Sequence, residues 1–134
     1  MSSKIFVNLP VADLAKAKVF YESIGFAINP QFTDATAACV VISEEIYAML
    51  LTHDKFKQFT PREIADTNTV KEVLIALSRD SREAVDDIAS KALAAGGKDH
   101  VPAQDYGFMY SRSIEDPDGH VWEMMWMDES QIQE

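Results

Sequence analysis

Residues 106–127 read YGFMYSRSIEDPDGHVWEMMWM. Two apolar runs flank the turn formed by Asp116, Pro117, Asp118 and Gly119. Aspartate supplies a local side-chain bond, proline a fixed φ and glycine access to positive φ, so the four residues favour a tight reversal. The run beyond the turn alternates. Val121, Glu123, Met125 and Met127 share one face, and His120, Trp122, Met124 and Trp126 share the other. Both faces are largely apolar, so the strand is expected to be buried on both sides. Glu123 then stands out as a carboxylate in an apolar strand, where an ionised group needs a cation, a metal or hydrogen-bond donors.

The 134 residues suit one domain, and 47% of them are apolar, enough for a sizeable core. The net charge is −10, from 12 Lys and Arg against 22 Asp and Glu. That balance speaks against a nucleic-acid backbone or an anionic membrane as partner. Cys39 is the single cysteine and cannot form an internal disulfide. No positively charged leader precedes a long apolar segment, so a cytoplasmic location is expected.

The chain opens with a strand candidate at residues 4–9, KIFVNL, in which Phe6 and Asn8 share a side. Pro10 weakens further ladder pairing. Asp13 is placed to cap a helix through LAKAKVFYESI, with Leu14, Ala17, Phe20 or Tyr21, and Ile24 as its apolar stripe and Gly25 as its stop. Strand candidates follow at residues 26–32, 37–43 and 46–52, the last two joined by a short hairpin at Glu44 and Glu45. The polar stretch at residues 53–69 reads as a connector with a short helix before Pro61. A strand is then expected within residues 70–78, and Asp80 with Glu83 has the spacing of a capping box for a second helix, which stops at Gly96 and Gly97. Strand, helix, glycine stop and several strands have now occurred twice. This predicts an α+β fold of paired βαβββ modules, at about residues 4–53 and 70–127 joined by 54–69, curving around a cleft. Strand parity nominates Phe6, Asn8, Leu50, Leu74, Tyr106, Phe108, Tyr110, Glu123 and Met125 as its ligand-binding wall, and Tyr47, like Tyr106 and Tyr110, is a candidate to orient the ligand.

With FVNLPVADLAKAKVFYESIGF at residues 6–26, VLIALSRD at 73–80 and SIEDPDGHVWEM at 113–124, the chain resembles the vicinal oxygen chelate superfamily, which contains glyoxalases, bleomycin-resistance proteins and extradiol dioxygenases. The resemblance implies paired βαβββ modules and often a homodimer, but selects no reaction. In metal-dependent members of that group four positions, usually His or Glu, hold a divalent ion. The resemblance places them at Phe6, at about Leu50, at about Leu74 and at Glu123, and only Glu123 is a ligand type. Phenylalanine and leucine offer a metal no lone pair. A shifted set of Asn8, His53 and Glu123 is the remaining metal arrangement. His120 points away from Glu123 in regular strand geometry, and His100 sits in an apparent loop.

The leading expectation is therefore a small-molecule-binding protein with no preformed metal centre and no cofactor, taking an organic ligand or substrate in its cleft. The alternative is a lyase or isomerase acting on a small oxygenated substrate, metal-independent with Glu123 as catalytic base or with a divalent metal at an unusual site. A third reading is a structural or regulatory homodimer whose cleft is filled by side chains. Glu123 then accepts hydrogen bonds from Asn8, a tyrosine or Arg112.

Overall fold

The computed structural model describes residues 3–131. Two four-stranded mixed sheets, each backed by one long helix, form an α+β fold. The first sheet contains β1 (Ile5–Val11), β2 (Ala27–Asn29), β3 (Ala37–Val41) and β4 (Ile46–Thr52) in the order β1-β4-β3-β2. The second contains β5 (Leu74–Ser78), β6 (Lys98–Asp105), β7 (Met109–Glu115) and β8 (Val121–Met127) in the order β5-β8-β7-β6. In each sheet the module's first strand pairs parallel with its last, and the other pairs are antiparallel. A hairpin cannot close a parallel pair. Here α1 (Leu14–Ser23) or α3 (Arg82–Ala94), with two further strands, makes the crossover, while α2 (His53–Phe56) is a single turn opening the connector.

Local chemistry sets the element ends. Asp13 caps α1 by accepting from the Lys16 N–H. The cap of α3 is Ser81, whose Oγ accepts from the Ala84 N–H at 3.0 Å, so the expected capping box at Asp80 and Glu83 does not form. The strand expected over residues 26–32 ends at Asn29. Pro30 has no N–H for the ladder and opens a one-turn 3-10 helix over Pro30–Phe32. The fifth strand starts only at Leu74, because Val70 turns back to donate to the Asp66 carbonyl.

Each sheet buries one face under its helix. Leu9, Ala38, Val40, Ala48 and Leu50 of the first sheet pack with Ala17, Phe20 and Tyr21 of α1. Leu77, Ile114, Trp122 and Met124 of the second pack with Val85, Ile88, Ala89 and Ala92 of α3. The two groups merge into one hydrophobic cluster. Gly97, after α3, lies where this packing is tightest. A Cβ there would fall 2.6 Å from the Glu115 carbonyl oxygen and 3.1 Å from the Phe20 ring.

The modules are fastened at the turn after β7. The buried Tyr21 hydroxyl donates to Asp116 Oδ2 and accepts from Trp122 Nε1–H at 2.9 Å. Asp116 Oδ1 accepts from the N–H groups of Asp118 and His120, both at 2.9 Å. Asp118 Oδ1 accepts from the Ala12 N–H at 2.9 Å, and His120 Nε2–H donates to the Pro10 carbonyl at 2.7 Å. Gly119 adopts φ +81 with Thr67 so close that a Cβ would fall 2.4 Å from its Oγ1. Burial pushes the Asp116 carboxyl above its ordinary value, against the pull of His120 and its hydrogen bonds. Burial and then the Asp116 charge push the Tyr21 phenol well above its own. Tyr21→Phe leaves the Trp122 N–H and one Asp116 oxygen without partners inside the fold. Urea unfolding should show a loss of about 2–4 kcal/mol, and a loss under about 0.5 kcal/mol contradicts this account of the junction.

Candidate functional site

The face of each sheet turned away from the helices is free of the common core. On the first sheet this outer face carries Phe6, Asn8 and Pro10 of β1 beside Tyr47, Met49 and Leu51 of β4, with Ala37, Cys39 and Val41 of β3 beyond. The Phe6 and Tyr47 rings stack with centroids 4.7 Å apart. On the second sheet it carries Leu74, Ala76 and Ser78 of β5, then Val121, Glu123, Met125 and Met127 of β8, then Met109, Ser111, Ser113 and Glu115 of β7. Glu123 lies directly between Ala76 and Ser113, and Met125 lies between Ser78 and Ser111. Glu123 is partly buried between these small neighbours, and it forms no hydrogen bond or ion pair among the described residues.

Phe6, Asn8, Tyr47, Leu74, Glu123 and Met125 therefore share outer faces, whereas four expected wall residues do not fit that picture. Leu50 is fully buried on the helix side of β4, and Met49 and Leu51 hold the outward parity instead. Tyr110 also faces the helix. Its hydroxyl donates to Asp86 of α3 at 2.6 Å, a bond that raises the phenol's pKa, and the strand alternation that brings Ser111 and Ser113 outward turns Tyr110 inward. Tyr106 and Phe108 lie in the β6–β7 hairpin loop, both about half exposed, because the strand begins only at Met109. Arg82 clamps that loop. It grips both Asp105 carboxylate oxygens and the Gly107 carbonyl at 2.8 Å each, and stacks over Tyr110 and Trp126. The Arg82 bond, then the Gly107 N–H, hold the Asp105 carboxyl down at about 2. Arg112 cannot serve Glu123, since it reaches Asp86 and Asp99 on the opposite side of the sheet. The Trp122 and Trp126 face meets α3 and the core rather than the outside.

Three of the nominated residues line three different cavities. Asn8 lines a cavity of about 440 Å³ with Phe56, Thr60, Arg62, Glu72 and Val73. His53 lines a different one, of about 530 Å³, with Pro10, Asp66, Asp118 and His120. Met125 belongs to a third, of about 550 Å³, with Ser78, Arg79 and Asp128. Asn8 and His53 thus line different cavities, and Glu123 lines neither. Among the described residues no three His, Cys, Asp or Glu side chains stand where they could hold a metal ion together. The residues at the metal positions of the group do not fit a metal either. Phe6 and Leu74 bring hydrocarbon to the outer faces, and Leu50 turns away from them.

Ser111 and Ser113 did not emerge from the sequence reading. The signal was present, because a hairpin closing at Asp116 to Gly119 sets Ser113 opposite Glu123.

Comparison with known proteins agrees with this architecture. Residues 4–43 match the family model described as bleomycin resistance protein-like N-terminal. No curated protein matches the chain. Among solved structures, the hypothetical protein SA1046 from S. aureus is similar at a TM-score of 0.79 and 25% identity, over 94% of each chain. A glyoxalase/bleomycin resistance protein/dioxygenase family enzyme from Burkholderia phytofirmans PsJN is similar at 0.78 and 19%, over 94% of this chain and 99% of that one. TnmS3, an antibiotic binding protein from Streptomyces sp. CB03234, is similar at 0.66 and 20%, over 95% and 97%. The chain has the fold of these structures, and its residues 4–43 carry the sequence of the bleomycin resistance protein-like N-terminal model.

With two hydrocarbon side chains and one turned-away leucine at the metal positions, added Mn²⁺, Ni²⁺ or Zn²⁺ should give no stoichiometric binding to metal-stripped protein in calorimetry. A one-to-one site that disappears in Glu123→Gln would contradict that expectation.

Proposed function

We propose that this protein binds an apolar organic molecule reversibly on its outer sheet faces, with Glu123 meeting a cationic or hydrogen-bond-donating group of the ligand. One observation carries the reading. A carboxylate without a partner among the described residues stands among Leu74, Ala76, Val121 and Met125, on a face it shares with Ser111 and Ser113. Such a group favours a positive partner, and the chain's net charge of −10 reinforces the preference. The antibiotic-binding relative of the same fold supports a binding role.

The binding unit in this reading is a homodimer. Ile5, Phe6 and Leu74 on the edge strands β1 and β5 are each half or more exposed, and Val73 beside them is also open. Apolar edges of this kind favour association. A second copy would bring an outer face of one chain against that of the other and close the cleft. Cys39 is buried and unpaired, which suits a reducing, cytoplasmic setting. No described helix is long and apolar enough to cross a membrane. A second role for Glu123, abstracting a proton from a bound carbon acid, draws on the same unpartnered carboxylate and would be lost in Glu123→Gln.

Two measurements test the proposal together. Light scattering should give twice the 15.0 kDa chain mass, and Leu74→Glu should return the single-chain mass. Fluorescence titration should show the planar aromatic cation acridine orange binding more tightly than an anionic aromatic sulfonate, with Glu123→Gln weakening the cation about tenfold. Equal affinity for the two dyes, unchanged by Glu123→Gln, contradicts it.

A further inference from the structure

Among the described residues four polar or charged side chains are buried: Ser111, Ser113, Asp116 and His120. Asp116 and His120 are fully engaged at the junction between the modules. Ser111 and Ser113 are each only 7% exposed and neither hydroxyl has a hydrogen-bond partner among the described residues. Both hydroxyl oxygens keep contact with solvent, since Arg79 Nε is the one fully buried side-chain nitrogen or oxygen without a partner among those residues, so both remain open to a ligand. Both serines lie on the outer face of the second sheet, at the parity of Glu123 and Met125. Ser113 is the direct cross-strand neighbour of Glu123, and Ser111 is its diagonal neighbour, directly across from Met125. Direct neighbours have Cβ atoms about 5 Å apart and diagonal ones about 7–8 Å, so one small group can reach all three side chains. On the other side of Glu123 the register partner is Ala76, a side chain of one methyl group.

The chemistry of this trio is specific. A carboxylate supplies charge and acceptor lone pairs, and each serine hydroxyl supplies two more acceptor positions. A primary ammonium carries one positive charge and three N–H donors on one atom. It can give one donor to Glu123 and one to each serine, satisfying all three groups at once. A quaternary ammonium has the charge but no donor, and a neutral hydroxyl has one donor and no charge. We propose that Glu123, Ser113 and Ser111 form a seat for a protonated primary amine, so that the ligand of the outer face is an apolar or aromatic primary amine. Met125, between Ser78 and Ser111, is the apolar surface on which the carbon skeleton next to the ammonium rests. The inference depends on Glu123 being the ligand's polar anchor, as proposed above.

The test uses the full chain and three indole probes of similar shape: tryptamine, its N,N,N-trimethyl quaternary analogue and indole-3-ethanol. Affinities are measured by calorimetry for the wild type and for Ser111→Ala, Ser113→Ala and Glu123→Gln, each checked for a native circular dichroism spectrum. Tryptamine is expected to bind about tenfold or more tightly than either analogue. Ser113→Ala should weaken tryptamine about fivefold while leaving the quaternary analogue unchanged, with a smaller loss in Ser111→Ala. Equal binding of tryptamine and the quaternary analogue, or a preference untouched by the serine variants, overturns the ammonium seat. In that case Glu123→Gln still weakening both cations would leave Glu123 as the anchor. Unchanged affinities in Glu123→Gln would overturn the anchor and the seat together. Failure of tryptamine to bind at about 10 mM also overturns the seat.

Discussion

The Tyr21 hydroxyl, closed between Asp116 and the Trp122 indole, fixes the direction in which both modules point. Tyr21 comes from α1 of the first module, while Asp116 and Trp122 come from the turn and last strand of the second. Their contact forces the helix-bearing sides of the two sheets into one core. A buried carboxyl is costly without donors, and here it has three, from the Tyr21 hydroxyl and two backbone N–H groups. Asp118 on Ala12 and His120 on Pro10 repeat the fastening across the same boundary. The aspartate- and glycine-bearing turn that reverses the chain is therefore also the clasp between the modules.

With the helix sides committed to the core, what remains for function is the outer faces. Their chemistry is mostly hydrocarbon: Phe6 stacked on Tyr47, Met49 and Leu51 on one sheet, Leu74, Val121 and Met125 on the other. The charged exception in the middle of the second sheet is Glu123, with Ser111 and Ser113 at its side. Of the four positions that the resemblance assigns to a metal, three carry carbon here and one is Glu123. The proposed reading is accordingly recognition of an organic ligand.

Much of the architecture was legible in the sequence because its signals are local. Asp13 announces the first helix, the apolar stripe of α3 announces the second, and the turn at Asp116 to Gly119 announces the hairpin. The second-sheet site was legible where one strand's alternation sufficed, as for Glu123 and Met125. It failed where two candidates of adjacent parity were both apolar. Leu50 and Leu51 look alike in sequence, and only the register of β3 against β4 tells which one faces α1. Tyr110 looks like a continuation of the Tyr106 and Phe108 alternation, but its register opposite Trp126 turns it to the helix side, and the Arg82 clamp on Asp105 and Gly107 makes residues 106–108 a loop. The buried Asp116 showed only as a turn residue, since its partner lies 95 positions away in the chain.

The central claim is that function resides on the outer faces and structure on the helix faces, and the methionines report on both. Met125 lies outward beside Glu123, and Met124, its chain neighbour, is fully buried against the helix side. Methyl resonances of ¹³C-methionine-labelled protein, followed through a tryptamine titration, separate the two directly. The account predicts a saturable shift of the Met125 methyl with the Met124 methyl unmoved. A shift of Met124 with Met125 unchanged would place binding on the wrong side of the sheet and contradict it.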